Sequence, residues 1–396
     1  KKHLWPLYLG GVIPPMGGVG ILTLLPVIAR DWGMSIQWIS LSVTVYMVPF
    51  AVFQLFAGPI AQVFDTRKTL LFGFGVYALG AILSGLSPNL TVLLIARFIW
   101  GFGAAFVSPI IVALVGDRVD PQRMGRSMGL LQASYTCGVT MGPLVSGLLE
   151  VALGWPAFFL FLGGLAVFNG IFYWVTTGPE KKREMGSKRI LDALPFVKQA
   201  ASIADVRFLS LAAFFLFLSF IGLMTFVAEY LKAAFSLSSD KIGFVLSMTG
   251  ILGIAASPVA GILGDRMGRR PVAYAGGGTM IAAILGMEVL DYSYSTYLVL
   301  FSLFGIGSAT AWASLLTLVV EMIPDLRKPV VSFYNAVKFM GYALAPLILS
   351  IFYIPFSISG VRWACMISIL TSLFLTSRIQ SKVATRAVAS PLIEGD

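Results

Sequence analysis

Two basic residues and six acidic ones stand apart from the charged loops of this 396-residue chain, and these are the groups that could do chemistry. Arg97 and Lys338 each lie about seven residues inside an apolar run of helical length. A charge held in hydrocarbon is costly and generally marks an ion or substrate pathway. For Arg97 the structural alternative is a side chain that snorkels to the interface or bonds a facing backbone carbonyl. For Lys338 the alternatives are snorkelling or a pair with an acid of a neighbouring loop. The acids outside the basic loops are Asp31, Glu150, Glu229, Asp240, Glu288 and Asp291. Asp31, Asp240 and Asp291 read as loop residues, and Glu150 and Glu288 fall at the ends of runs. That leaves Glu229, in FVAEYLKAAF, as the first candidate for reversible protonation, with a helix-end pair to Lys232 as its alternative.

Other chemistries are poorly supplied. Cys137 and Cys365 both fall in apolar stretches, and the single histidine, His3, is near the start of the chain, so a disulfide framework or structural zinc site is not expected. No nucleophile–base cluster is evident, so the chain does not read as an enzyme. No G-x4-G-K-[ST] loop is present either, so ATP is not the expected energy source.

The elements that position these groups follow from composition. Hydrophobic residues make up 58% of the chain and charged ones 12%, whereas a soluble domain carries about a quarter charged residues. Apolar runs of helical length occur at roughly 8–29, 37–57, 69–86, 90–113, 127–150 and 156–177, then at 207–231, 241–262, 272–290, 296–318, 330–352 and 360–377. They are about twice the length of a barrel strand and do not alternate strictly, which indicates helices. The first run is too long and too rich in glycine and proline for a signal peptide and reads as a retained helix.

Of the 28 basic residues, Arg30, Lys232, Lys241 and Arg362 fall on one side, Arg97 and Lys338 lie within runs, and the other 22 lie opposite. The positive-inside rule makes that opposite side cytoplasmic and puts both termini there. The net charge of +10 is then mostly topology rather than a nucleic-acid surface. The longest hydrophilic stretch divides the chain into 1–178, a cytoplasmic linker 179–206, and 207–396 with a short cytoplasmic tail. The expected fold class is an all-α membrane protein, with twelve transmembrane helices in two pseudo-symmetric six-helix bundles.

The halves repeat. A shift of 203 residues lays GPIAQVFDTRK (58–68) on GILGDRMGRRP (261–271) and CGVTMGPL (137–144) on MGYALAPL (340–347). A shift of 204 lays GFGAA (101–105) on GIGSA (305–309) and Asp117 on Glu321. Parallel repeats with a site between them near the midplane are the plan of a transporter working by alternating access. Asn335 is one turn from Lys338, and repeat-related Gln132 and Tyr135 complete a plausible polar floor. The other expected lining residues are Met16, Leu24, Phe106, Phe220, Met224 and Trp312; ordinary packing of a methionine and aromatic stripe is the alternative.

The motifs resemble those of the major facilitator superfamily over the whole length. Gly261, Asp265, Arg266, Gly268 and Arg269 match that family's G-x-L-x-D-R-x-G-R-R/K loop, whereas the first copy departs from it: Gly58 is kept, Gln62 replaces the aspartate, and Asp65 takes the second glycine's place before Arg67. The resemblance implies a gating latch on the cytoplasmic side, rearranged in the first half with Asp65 or Asp117 supplying the carboxylate. Arg97, in L-x3-R-x3-G-x-G-A-A, resembles the second motif and implies proton coupling.

Gly138, Gly142, Pro143 and Gly147 resemble the signature of the antiporters, which implies export. The resemblance as a whole is to the drug/proton antiporter branch. It implies a cell-membrane, monomeric, proton-coupled exporter of hydrophobic or amphipathic small molecules, needing no cofactor beyond a proton gradient. The partners implied are substrate, protons and the bilayer. A same-fold carrier of an anionic metabolite, sugar derivative or lipid is the alternative, and a sensor without transport a remote one. The first run contains no acid, unlike that of many such antiporters.

Overall fold

The computed structural model describes residues 4–56, 65–119, 124–177, 194–323 and 326–379. Gly58 and Gln62 lie outside these residues, as does the side chain of Asp117. The described residues form twelve α-helices and no strand: α1 (Trp5–Asp31), α2 (Ile36–Gln54), α3 (Thr66–Gly85), α4 (Leu90–Arg118), α5 (Met124–Leu153), α6 (Pro156–Thr176), α7 (Leu194–Ser202), α8 (Ala204–Phe235), α9 (Ser239–Met267), α10 (Arg269–Val289), α11 (Tyr294–Met322) and α12 (Arg327–Ser377). All except α7 are long and apolar enough to span a membrane. The nine residues of α7 fall within the expected linker.

Helix α12 contains both of the last two runs. A straight helix of its 51 residues would be about 76 Å long, more than twice the thickness of a bilayer core. It breaks at Ser357 (φ 53°, ψ −146°), and Gly360 returns against the Phe352 carbonyl with no room for a side chain. Two limbs, 327–356 and 358–377, therefore meet at one non-helical residue, which makes twelve crossings. Other boundaries come from local chemistry. Asn89 caps α4 through Val92 N (3.0 Å), and Ser293 caps α11 through Thr296 N (3.0 Å). Gly268, at φ +91°, makes the turn between α9 and α10 that a side chain would strain.

The repeat reappears as packing. A Cβ at Gly101 of α4 would collide with the Tyr46 carbonyl of α2, and one at Gly305 of α11 with Thr249 of α9. Likewise Gly103 meets Tyr77 of α3, and Gly307 meets Met280 of α10. Gly138 of α5 lies on Val12 of α1, as Gly341 of α12 lies on Phe214 of α8. In each pair both partners recur 202 to 204 residues later, so corresponding helices dock through the same absent side chains.

Between the halves, α5 meets α9 and α2 meets the first limb of α12. Gly147 abuts Ser239, Gly243 abuts the Pro143 carbonyl, and Gly250 abuts Thr140. All three contacts lie in the part of the seam remote from the basic loops. Nearer those loops the seam parts: a Cβ at Gly129 or Gly261 would meet nothing within 4 Å, and Gly129, Gln132 and Ala133 are exposed. The α5–α9 seam is thus closed at the end remote from the basic loops and parted toward them.

Replacing Gly243 by leucine is expected to force the sealed end apart. Spin labels at Leu153 and Lys241 should then report a longer-distance population that is absent from the parent, measured in a background with Cys137 and Cys365 changed to serine. An unchanged distance distribution would show that this contact does not hold the seal.

Candidate functional site

On the first limb of α12, Asn335, Lys338 and Tyr342 recur at helical spacing and share one face. That face lies between Gly341, which docks on α8, and Ala343, whose carbonyl accepts from Thr44 Oγ1 of α2 (2.6 Å). It therefore looks into the gap between the halves. Lys338 Nζ donates to Asn335 Oδ1 (2.9 Å) and lies 4.3, 5.2 and 5.6 Å from the ring centroids of Phe339, Phe217 and Tyr334. Ring faces attract a cation. Among the described residues no carboxylate forms an ion pair with Lys338.

The rings bind four helices together around this cation. Phe217 of α8 stacks on Trp312 of α11 at 4.5 Å, Phe220 meets Trp312 edge-on at 4.7 Å, and Phe50 of α2 meets Phe339 at 4.9 Å. The Trp312 indole Nε1–H is buried and has no acceptor among the described residues.

The other anticipated lining residues are distributed differently. Gln132 is exposed, on the part of α5 between its α1-facing and α9-facing rows, whereas the Tyr135 hydroxyl donates to Ser108 O of α4 (3.1 Å). Met16 and Leu24 are buried in α1, and the Met16 carbonyl lies 2.8 Å from where a Gly142 Cβ would stand. Met224 is buried in α8. Phe106 packs with Phe53, Phe102 and Phe72 at 5.7, 5.0 and 5.7 Å, and Phe72 is itself 53% exposed on the flank of the bundle. A ring on α4 can face either way, and here it closes the α2–α3–α4 contact. Phe217, Phe339, Phe50 and Tyr342 are the cluster members that the sequence reading passed over; their spacing from Lys338 along α12 was the available signal for Phe339 and Tyr342.

Arg97 is fully buried. Its Nε donates to Ser42 O (3.1 Å), and its guanidinium lies over the rings of Tyr46 (4.2 Å) and Trp100 (4.6 Å). Thus the facing-carbonyl arrangement is the one adopted, and among the described residues Nη1 and Nη2 have no acceptors. Gly18 leaves room for the Tyr46 ring and the Tyr342 hydroxyl, each 3.6 Å from where its Cβ would stand. The aromatic shell of Arg97 thereby reaches the Lys338 face of α12.

Glu229 is half-buried on the Gly222–Phe226–Glu229 row of α8, where Gly222 fits Leu349 and Phe226 stacks on Tyr353 at 4.8 Å. No ion pair joins it to Lys232 among the described residues. It lies about 18 Å along α8 from Phe217, toward the sealed end.

At the basic end Arg269 gathers three elements. It donates to the Gly261 carbonyl (2.9 Å) and to the carboxylates of Asp265 and Glu321, the latter at 3.3 Å. Its side chain lies over Gly264, where a Cβ would crowd it. Arg270 bonds the Ile379 carbonyl, and Arg266 is exposed. In the first half Asp65 acts as the N-cap of α3, accepting from Arg67 N (2.9 Å) and Lys68 N (3.1 Å), while the Arg67 guanidinium bonds Trp174 O (2.9 Å). Asp65, one of the two carboxylates expected to serve a latch, is thus engaged as a helix cap, and the side chain of the other, Asp117, lies outside the described residues.

Arg362 corrects its assignment to a loop. It is buried in the second limb of α12, pairs with Glu288 Oε2 (2.9 Å) and donates to the Tyr297 hydroxyl (2.6 Å). Ser359 also donates to Glu288 (3.2 Å), which ties α10, α11 and α12 together.

Comparison with known proteins agrees with this architecture. The family model of the Major Facilitator Superfamily matches residues 7–206 and 209–390. The riboflavin transporter RibZ of Clostridioides difficile is 23% identical over 379 residues, covering 83% of this chain and 82% of its own. The multidrug resistance protein Stp of Mycobacterium tuberculosis is 33% identical over 166 residues, covering 40% of this chain and 30% of its own. A crystal structure of a bacterial homolog of the human lysosomal transporter Spinster, inward-facing and occupied, superposes with a TM-score of 0.74 at 16% identity, covering 95% of this chain and 96% of that one.

Two variants follow from the charge networks. Glu288→Leu leaves Arg362 buried without its carboxylate and should lower stability by about 3 kcal/mol, read as an earlier thermal unfolding of the detergent-solubilised protein; adding Arg362→Met should recover most of the loss. Equal stability of the parent and Glu288→Leu would remove this pair from the supports of the fold. Asp265→Asn loosens one of the three holds on Arg269. It is expected to shift spin-label distances between the halves while leaving ligand affinity within about twofold, the range of a weak exposed ion pair, and unmoved distances would count against a conformational role.

Proposed function

This chain belongs to the Major Facilitator Superfamily, and from that premise we propose that it is a proton-coupled antiporter exporting hydrophobic or amphipathic small molecules by alternating access. The observation that carries the reading is the asymmetric interface. Glycine contacts between α5 and α9 seal one end, while the other end is open and leads to an aromatic-walled cation between α2, α8, α11 and α12. By the positive-inside rule the open end is cytoplasmic, both termini are cytoplasmic, and this state faces inward in the cell membrane. Rocking the halves would break the α5–α9 seal and close the basic end, which moves cargo outward without covalent chemistry or a cofactor.

The signature on α5 fits such a cycle. Gly138 and Gly142 dock α5 onto α1 within its own half, whereas Pro143 and Gly147 meet α9 across the seam. One helix thus carries a contact that persists on one row and a contact that must break on the other. Glu229 lies toward the sealed end and Lys338 beside the open one, so the two titratable groups face opposite sides of the barrier. A proton taken up by Glu229 when the far end opens would favour return of the empty carrier. Support for an aromatic cargo comes from the ring-lined site and from relatives named for riboflavin and for multidrug resistance. The working unit is proposed to be a monomer.

Proteoliposomes test the reading. An imposed proton gradient should drive accumulation of the neutral amphipathic dye N-phenyl-1-naphthylamine, and the dye should in turn dissipate the gradient; a gradient that neither drives the dye nor responds to it removes proton-coupled export. Glu229→Gln is expected to abolish gradient-driven flux while dye binding remains measurable. Driven flux at the parental rate would take Glu229 out of the coupling role.

A further inference from the structure

We infer that the preferred cargo bears an anionic group, so that Lys338 and Trp312 together select aromatic carboxylates or sulfonates over neutral and cationic compounds of the same shape. The inference rests on the proposed transport site between the halves and names the chemistry that site selects. The unspent N–H bonds of the cluster belong to Lys338 and Trp312; the buried Tyr342 hydroxyl beside them, which can donate or accept, has no partner among the described residues. The Lys338 ammonium has three N–H bonds and gives one to Asn335 Oδ1, a neutral acceptor. The Trp312 Nε1–H, carried on the ring that stacks on Phe217, is buried with no acceptor among the described residues. A buried donor without a partner loses the full desolvation cost of that group, so a native site that sets such an indole N–H near an ammonium with two unspent N–H bonds is completed by an acceptor that arrives from outside.

Among the described residues no acid is seen to supply that acceptor. Glu321 is engaged with Arg269 at the basic end, and Glu288 with Arg362 at the sealed end. On α8, Asp205 and Glu229 each lie twelve residues from Phe217, about 18 Å along the helix. The other well-buried cations show what settled pairing looks like: Arg362 has a carboxylate and a phenol, and Arg97 has a carbonyl between two rings. Lys338 differs from both in being only partly buried, on the face that looks into the open gap.

Three ring faces around the ammonium attenuate its desolvation but do not neutralise it. A cationic cargo would meet like charge there and would find the ring faces already occupied by Lys338. An aromatic anion instead gains charge-assisted hydrogen bonds and apolar walls at once.

A matched pair of dyes tests this. 8-Anilinonaphthalene-1-sulfonate is N-phenyl-1-naphthylamine with a sulfonate added, and both can be measured by equilibrium dialysis against the full chain in nanodiscs, with empty nanodiscs subtracted. The parent is expected to bind the sulfonate about tenfold more tightly or better, the range for a hydrogen bond to a charged group. Lys338→Gln should bring the ratio of the two affinities close to one, Lys338→Arg should restore much of it, and Trp312→Phe should reduce it severalfold while keeping the ring. A ratio near one in the parent, or a ratio that survives Lys338→Gln, overturns the inference. Proton-driven flux of the neutral dye is measured on the same protein in proteoliposomes. Flux without anion preference leaves the exporter reading standing and removes this one, preference without flux does the reverse, and neither binding nor flux overturns both.

Discussion

Close approach of helix backbones at glycine positions is the constraint on which the rest of this structure depends. Lipid tails are as apolar as leucine, so helices in a bilayer gain little from burying hydrophobic faces on one another and rely on tight packing and interhelical hydrogen bonds. Here that packing is achieved by omission. Gly101 and Gly305, Gly103 and Gly307, and Gly138 and Gly341 each accept a neighbouring backbone where a Cβ would stand. These contacts join helices within a half and recur in both halves. The α5–α9 contacts at Gly147, Gly243 and Gly250 use the same device between halves. A seal made largely from backbone contact and small residues has little charge to desolvate when it parts, with the partly buried Asp240 carboxylate beside Gly147 at its edge, which suits a contact made and broken in every cycle.

The buried charges divide by the same logic. Arg362 with Glu288 and Tyr297, and Arg97 between Tyr46 and Trp100, are enclosed within single halves and fixed by groups of that half. Arg269, with Asp265 and Glu321, ties three helix ends of the second half. Lys338 is held by Asn335 and rings of its own half, but Phe50, which covers Phe339, comes from the other half. Its surroundings are therefore the ones that must change when the halves move.

Much of this was legible in the sequence because hydrophobic length and repeat register are one-dimensional. The runs of apolar residues became helices, and the shifts of 203 and 204 predicted which glycines would do equivalent work. What was not legible depends on direction or on a single dihedral. Phe106 has the composition of a lining residue, yet the face of α4 that carries it meets Phe53 and Phe102. Arg362 looks like a loop cation because it is near a predicted boundary, but the break at Ser357 is so short that the second limb is already helical and buried there. Asp65 reads as a displaced latch residue by alignment with the second half, whereas its position just before α3 makes it an N-cap. The open basic end could not be read either, since one sequence must serve both states of a carrier.

The two cross-half seams are built differently, and the difference bears on how the site and the barrier are linked. Along α5–α9 the contact is confined to the sealed end, so rocking must separate it. Along α2 and the first limb of α12 the Thr44–Ala343 hydrogen bond lies nearer the middle of both helices, where rotation about a midplane axis displaces atoms least. The Phe50–Phe339 pair is two turns nearer the basic end on α2 and one turn along α12. A rotation that keeps the first contact as an axle must slide the second, because its distance from the axle is the lever arm. Phe339 is the ring closest to the Lys338 ammonium. Closing the basic end would press α2 toward that ring and, through it, alter how much of Lys338 the rings shield and how much a bound group must satisfy. The residue that selects cargo and the motion that carries it would then share one lever, and an occupied Lys338 would bias the halves differently from an empty one.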